Sequence, residues 1–516
     1  MADETEKLDW TNIDPKLRTM IMVGLALGML MACLDSTIVS TSLKTIAEDL
    51  GGMELYAWVF TAYMLCETVM IPIAGKLSDH YGRKPLLIFG TVIFMVGSVL
   101  AGLSGSMMEL IVFRGMQGIG GGILVPVATA AVADLYSPQA RGRMQGILGA
   151  IFGVGSAIGP LIGGYLTDAI SWHWCFFINI PIGIAVLLLT MKKFPAVNAD
   201  TLHKIDYRGI GVLAVFLADL LLMFTWGGDK YAWLSTEIIT MALVAAVLLA
   251  LFIFVERKVD DPVIKPSLFK NHTIVYCAIT MLIFGIAMMG TMAYMSIFLQ
   301  TVLGYTATES GLIQIAMVAG MIITSMSSGV LMARTGSKIW LVSGAVITAA
   351  GMLLMSTLHG GSGIYEILAY LFIMGVGLGC MMSVLMTVTQ NAADLGEMGM
   401  TTSMVNLFRS IGSTVATGLF ATFIASSFSG GLANVLPEEI WAIYPHNTQI
   451  LNYLTDPTLL PYVGDIISTY GSSICYAFAI GSVIMLFTLI FILKMKNDRG
   501  VKEIHRKTKA AEIEAK

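Results

Sequence analysis

Five charged side chains lie well inside stretches that are otherwise apolar, away from their ends: Asp35, Glu67, Arg114, Asp219 and Arg409. A charge at the centre of a bilayer costs roughly 2.5 to 3.5 kcal/mol on insertion scales, so such groups normally face an interior cavity and mark a transport route. At a rise of ~1.5 Å per residue, Asp35 stands roughly 24 Å from the start of its stretch, Arg114 roughly 8 Å and Arg409 roughly 10 Å, while Glu67 falls near mid-depth. A carboxyl kept from water is harder to ionise and titrates nearer neutrality. At Asp35 or Glu67 a proton and a cationic solute would therefore compete for one charge, and that competition is exchange by linkage.

The elements that must position these groups are fourteen apolar stretches, at 19–43, 55–74, 85–103, 108–133, 144–166, 174–191, 210–226, 235–255, 274–298, 310–332, 339–358, 365–388, 402–426 and 472–493. About 20 apolar residues are needed to cross a ~30 Å hydrocarbon core, and backbone facing lipid must satisfy its own hydrogen bonds, so each is expected to be an α-helix. The composition agrees: 56% hydrophobic against 12% charged residues over 516 positions leaves too little polar surface for a soluble globule. With a cytoplasmic N-terminus, 26 of the 30 Lys and Arg fall on the inner side; Lys44 and Lys230 are outer, and Arg114 and Arg409 lie within spans. By the positive-inside rule both termini are cytoplasmic, and the chain is expected in the cytoplasmic membrane.

Several functions are excluded by the same reading. The first eighteen residues hold no short apolar core before a small-residue cleavage site, so no removable signal peptide is expected. Cys33, Cys66, Cys175, Cys277, Cys380 and Cys475 all fall in apolar spans and read as packing residues. The seven histidines are scattered, with His80, His203 and His505 in inner segments, so no metal site and no cofactor is expected. No GxxxxGK[ST] loop is present, which points to an ion gradient rather than ATP as the energy source, and to a transporter rather than an enzyme. The basic tail 494–516 reads as an anchor to anionic lipid, not to nucleic acid.

The segment GKLSDHYGRK after the second span recurs as GVLMARTGSK after the tenth, matching Gly75, Leu77, Gly82 and Lys84 to Gly329, Leu331, Gly336 and Lys338. Duplicated halves are a common plan for transporters, with the substrate path between them. At these residues the chain resembles the major facilitator superfamily, whose loop between helices two and three carries Gly75, Asp79, Gly82, Arg83 and Lys84. The resemblance implies that Asp79 pairs across to the other half as a conformational latch. The second copy has Ala333 in place of the acid, which leaves that half without one.

Three further segments extend the resemblance. FRGMQGIGGG places Arg114, Gln117 and Gly118 at the superfamily's fourth-helix motif, which implies a part for Arg114 in proton coupling. GVGSAIGPLIGG places Gly155, Gly159, Pro160, Gly163 and Gly164 at the motif carried by its antiporters, where small residues every four positions let helices approach closely. LDSTIV at 34–39 and WHWCFFINIPIG at 172–183 are similar to the fourteen-helix drug:proton antiporters. That family implies an all-α major facilitator fold, two six-helix bundles with two additional helices between them.

The organisation expected is an inner segment 1–18, bundle 19–191, linker helices with their loops 192–272, bundle 273–493 with a long outer loop 427–471, and the tail 494–516. The loop carries Trp441, Tyr444, Tyr453 and Tyr462 with Glu438, Glu439, Asp456 and Asp465, and its apolar content suggests an ordered cover or gate over the outer mouth. Asp219 lies outside the twelve-helix core, and Arg409 either lines the route or pairs with Asp394 or Glu397. The function implied is a monomeric proton-coupled antiporter that exports amphipathic molecules, lipophilic cations foremost, with Met among the wall residues (36 in the chain). A dedicated exporter of one metabolite, peptide or siderophore is the alternative.

Overall fold

The computed structural model describes residues 14–51, 55–194, 206–227, 231–259, 262–394, 397–441 and 457–497. Fourteen helices are long and apolar enough to cross a membrane. They are α1 (Pro15–Leu50), α2 (Tyr56–Tyr81), α3 (Arg83–Gly102), α4 (Met107–Leu135), α5 (Pro138–Ala169), α6 (Asn179–Lys193) and α7 (Tyr207–Trp226). The rest are α8 (Thr236–Glu256), α9 (His272–Ile297), α10 (Ala307–Thr335), α11 (Ser337–Met355), α12 (Ile364–Ala392), α13 (Met398–Val435) and α14 (Val463–Lys494). Among the described residues the only β pairing is one bridge between Gly227 and Tyr231. The chain is thus an all-α polytopic membrane protein.

Helix starts follow local chemistry. Ser106 accepts from Glu109 N at the head of α4, and Thr306 and Glu309 form a reciprocal capping box at the head of α10. The turns that join α2 to α3 and α10 to α11 hinge on Gly82 (φ 88°, ψ 162°) and Gly336 (φ 90°, ψ 160°). Residues with a Cβ avoid this left-handed region, so the repeated glycine is required by one backbone shape used twice.

Two separate cores result. In the first half α1 packs on α4, α5 and α6, while α2 and α3 pack on α4, around Met29, Phe94, Leu124 and Val132. In the second, α9 packs on α13, α10 on α12, and α11 on α12 and α14, around Met281, Phe284, Met374 and Phe478. The halves meet chiefly where α5 lies along α10 and α2 along α13. Gly142 and Gly329 make the first contact so close that a Cβ on either would strike the other's carbonyl. The additional helices are not equivalent: α7 packs against both α2 and α13, whereas α8 rests on α7 and exposes Leu243, Val247 and Phe254.

Both ends of the described chain lie at one end of the molecule. Arg18 sits over the Tyr136 ring at 5.5 Å, and Asn497 Oδ1 accepts from Lys338 N at 3.1 Å, beside the two repeated turns.

The sixth span runs over Trp174–Lys192 as expected, with a one-residue interruption at Ile178 just ahead of α6, where Pro181 has no N–H to continue the ladder. Two expectations are corrected. The long outer loop 427–471 is shorter than expected, since α13 runs on to Val435 and α14 begins at Val463. α13 continues through Gly430 and Gly431 because Ile424, Phe428, Leu432 and Leu436 form one buried stripe, with Phe428 set edge-on to Tyr470 at 5.2 Å. Arg409 does not pair with Glu397, whose carboxylate is held by Lys265 Nζ at 2.7 Å. Lys230, His203, His505, Tyr444, Tyr453, Asp456 and the tail beyond Asn497 lie outside the described residues, as do the side chains of Glu438, Glu439 and Pro160.

Candidate functional site

Asp35 and Arg114 are both completely buried, and they form an ion pair between α1 and α4. Arg114 Nη1 donates to Asp35 Oδ2 and, at 2.9 Å, to Gln117 Oε1. Gln117 Nε2 donates back to Asp35 Oδ1 at 3.0 Å, and Asn179 Nδ2 reaches the same oxygen at 2.9 Å while donating to Ser98 Oγ at 3.0 Å. The guanidinium also lies over the Tyr63 ring at 4.3 Å, a cation–π contact. A charge pair taken out of water is tolerable only with such dense hydrogen bonding. Arg114 Nε and Nη2 nevertheless have no hydrogen-bond acceptor among the described residues. Three of the expected residues, Asp35, Arg114 and Gln117, are therefore brought together. Asn179, Ser98 and Tyr63 were not singled out by sequence, although Asn179 lies within the quoted segment WHWCFFINIPIG.

The glycine stripe of α5 holds α1 in register with this pair. A Cβ added to Gly155 would come within 3.1 Å of Cys33 Cβ, and one on Gly159 or Gly163 would strike Thr37 or Thr41. Thr37 Oγ1 donates to the Gly155 carbonyl at 3.3 Å. These contacts bracket Asp35 along α1. Gly164 departs from the stripe, since a Cβ there would meet only Thr308 Oγ1 of α10, at 3.8 Å.

A cavity of about 490 Å³ opens on the side away from the termini, lined by α1, α2, α7, α9 and α13. Phe60, Met64, Leu65 and Met289 make it largely apolar, and Thr61, Thr225, Tyr294, Ser413, Thr414 and Thr417 add hydroxyls. Glu67 and Arg409 stand one helical turn further in than Met64 and Ser413, about 5 Å deeper. They come from opposite halves and lie within electrostatic reach of one another. Arg409 also sits over Phe152 at 5.5 Å, the one α5 ring that touches both cores. Asp219 is on α7, with Oδ2 buried and without a partner among the described residues, and it does not line the cavity.

Beneath this floor the halves are closed by hydrogen bonds. Asp79 Oδ1 and Oδ2 accept from Gly399 N at 2.9 Å and Met400 N at 2.7 Å, so the carboxylate caps the start of α13, where free N–H groups and the helix dipole favour negative charge. Arg83 bridges Asp79 at 2.7 Å and Asp134 at 2.8 Å. Gln145 and Gln390, from opposite halves, both donate to the Thr129 carbonyl at 2.9 Å. In the second copy Lys338 Nζ instead donates to the Leu493 carbonyl at 2.6 Å, which ties α11 to α14 within one half. Lys84 is half-buried at the head of α3. Among the described residues no group of three or more His, Cys, Asp or Glu could hold a metal ion.

Two helical bundles around a shared cavity, with a buried charge network on one side, give the architecture of a membrane transporter. Residues 25–417 match the Major Facilitator Superfamily, and the chain belongs to it. It is 37% identical to the multidrug transporter protein MdtP of Bacillus subtilis over 82% of this chain and 77% of that one. It is 34% identical to multidrug resistance protein 3 of the same species over 98% of this chain and 100% of that one. Its fold resembles the human organic anion transporter MFSD10, with a TM-score of 0.63, 15% identity, and 93% and 100% of the two chains covered.

Proposed function

We propose that this protein is a proton-coupled antiporter that exports amphipathic molecules, lipophilic cations foremost, across the cytoplasmic membrane. Its termini are cytoplasmic, and the bundles 19–191 and 273–493 rock about the cavity while 192–272 travels with them. The observation that carries the reading is the placement of Asp35 and Glu67: one lies in a buried network with Arg114, Gln117 and Asn179, the other one helical turn beyond Met64 of the apolar cavity wall, within electrostatic reach of Arg409. With the cavity open outward, a proton arriving at Asp35 or Glu67 removes the charge that favours a cationic substrate and releases it. Opening inward returns the proton and restores the charge. Only net charge moved across the membrane draws on its potential, ~2.3 kcal/mol per charge per 100 mV, so a one-for-one exchange of a proton for a monovalent cation is driven by the pH gradient.

Asp79 acts as the latch of the outward-facing state through the head of α13, with Gly75, Gly82, Arg83 and Lys84 shaping its turn. Of the motif Gly155, Gly159, Pro160, Gly163 and Gly164, the glycines at 155, 159 and 163 support antiport by keeping α1 and Asp35 fixed against α5. The high identity to two relatives named for multidrug transport supports a drug substrate. The test is dye efflux from loaded right-side-out vesicles under an imposed pH gradient, acid outside. The unaltered chain should move ethidium, and both Asp35→Asn and Glu67→Gln should lose the pH-driven part. Undiminished efflux in both variants would remove the carboxylates from the mechanism.

A further inference from the structure

The cavity has an unusual polarity. None of its fourteen lining residues is charged, and six carry hydroxyls. Five of those hydroxyls already spend their hydrogen on a main-chain carbonyl. Thr225 donates to Leu221 O at 2.8 Å, Ser413 to Arg409 O at 3.0 Å, Thr414 to Ser410 O at 3.2 Å, Thr417 to Thr414 O at 2.8 Å and Tyr294 to Thr417 O at 2.9 Å. What these five side chains turn to the cavity is oxygen lone pairs. Met64 and Met289 add thioether sulfurs, which accept weakly and cannot donate. A solute that donates hydrogen bonds finds partners there, and one that can only accept leaves its own groups unpaired, at the full desolvation penalty.

One of the acceptors comes from outside the two bundles. Leu221 and Thr225 belong to α7, which is fixed at this level to both halves. Trp226 meets Trp58 of α2 edge-on at 6.0 Å, a Cβ on Gly418 of α13 would press on the Phe224 carbonyl at 2.5 Å, and Trp233 Nε1 donates to Thr422 Oγ1 at 2.6 Å. The first additional helix is therefore a third wall of the cavity rather than a spacer.

We infer that this cavity selects amphipathic hydrogen-bond donors, aryl amines and protonated amines above all, and that Thr225 of α7 is one of the acceptors that read them. The inference rests on the cavity being the substrate site of the transporter. It is tested by binding, so that its failure is separable from a failure of proton coupling. The full-length protein in detergent is titrated with ethidium, whose two ring amines donate, and with tetraphenylphosphonium, a lipophilic cation of the same charge with no donor.

Thr225→Val should raise the Kd for ethidium about fivefold, the effect of one lost hydrogen bond, with tetraphenylphosphonium unchanged, and Thr225→Ser should restore it. Thr414→Val on the α13 wall should behave alike, and it serves as the second variant if Thr225→Val fails to fold. Equal shifts for both ligands, no shift for either, or no ethidium binding by the unaltered protein would overturn the inference.

Discussion

The two halves share one backbone and divide the chemistry. Gly82 and Gly336 take the same φ and ψ to within 2°, yet the first turn carries Asp79 where the second has Ala333. The first half buries Asp35, Lys76, Arg83, Arg114 and Arg141, whereas Arg409 is the only charged side chain buried among the described residues of the second. The second half buries hydroxyls, amides and a run of methionines instead. Duplication supplied a rocking frame, and divergence placed the charge on one side of the cavity and adaptable apolar surface on the other. A barrel of two equally charged halves would need two solutions to the desolvation problem; this one needs a single dense network.

The largest test of that asymmetry is to break the network. Arg114→Ala leaves Asp35 buried without its cation and should cost about 3–5 kcal/mol, seen as a marked fall in the detergent melting temperature and loss of efflux. The paired change Asp35→Asn with Arg114→Gln removes both charges, so it should recover most of the melting temperature while efflux stays at background. Recovery of transport by the pair would show that the charges serve folding alone.

Next in size is the glycine stripe. Gly159→Leu drives a side chain into Thr37 and should abolish transport with little protein left folded, an overpacking effect of about 1–3 kcal/mol or more. Gly164→Ala, which meets only Thr308 Oγ1 at 3.8 Å, should melt and transport like the unaltered chain. If the two behaved alike, the stripe would not be a packing device against α1.

Smaller again is the latch. Asp79→Asn weakens the cap on α13 and its bond to Arg83, and should shift the conformational balance towards opening at the terminal end, by about 1 kcal/mol. Cysteine labelling of residues near Gly399 would report it as faster modification. The converse substitution, Ala333→Asp, should have the smallest effect, since Lys338 in that copy is already bound to the Leu493 carbonyl within its own half. A labelling change of equal size in both variants would dissolve the distinction between the two turns.

The fold was legible to an unusual degree because lipid imposes one solution on backbone hydrogen bonding. All fourteen expected stretches are spanned by helices, and errors lie at their ends. Helices such as α13 run past their apolar stretches on packing that single-residue hydropathy does not register. The network was legible in part. Asp35, Arg114 and Gln117 stand out as polar groups in apolar context, but Asn179 reads as a polar residue near a helix start, and only the α1–α6 packing shows that its amide meets Asp35. The involvement of α7 in the cavity left no trace in sequence, because Leu221 and Thr225 are ordinary membrane residues whose meaning comes from what lies opposite them.

The central claim is that substrate and proton exclude one another at buried acids of the first half. It is tested most directly by adding ethidium to weakly buffered, purified protein and recording the protons released. The unaltered chain should acidify the solution on binding, and the Asp35→Asn, Glu67→Gln double variant should bind without acidification. Proton release undiminished in the double variant would contradict the account.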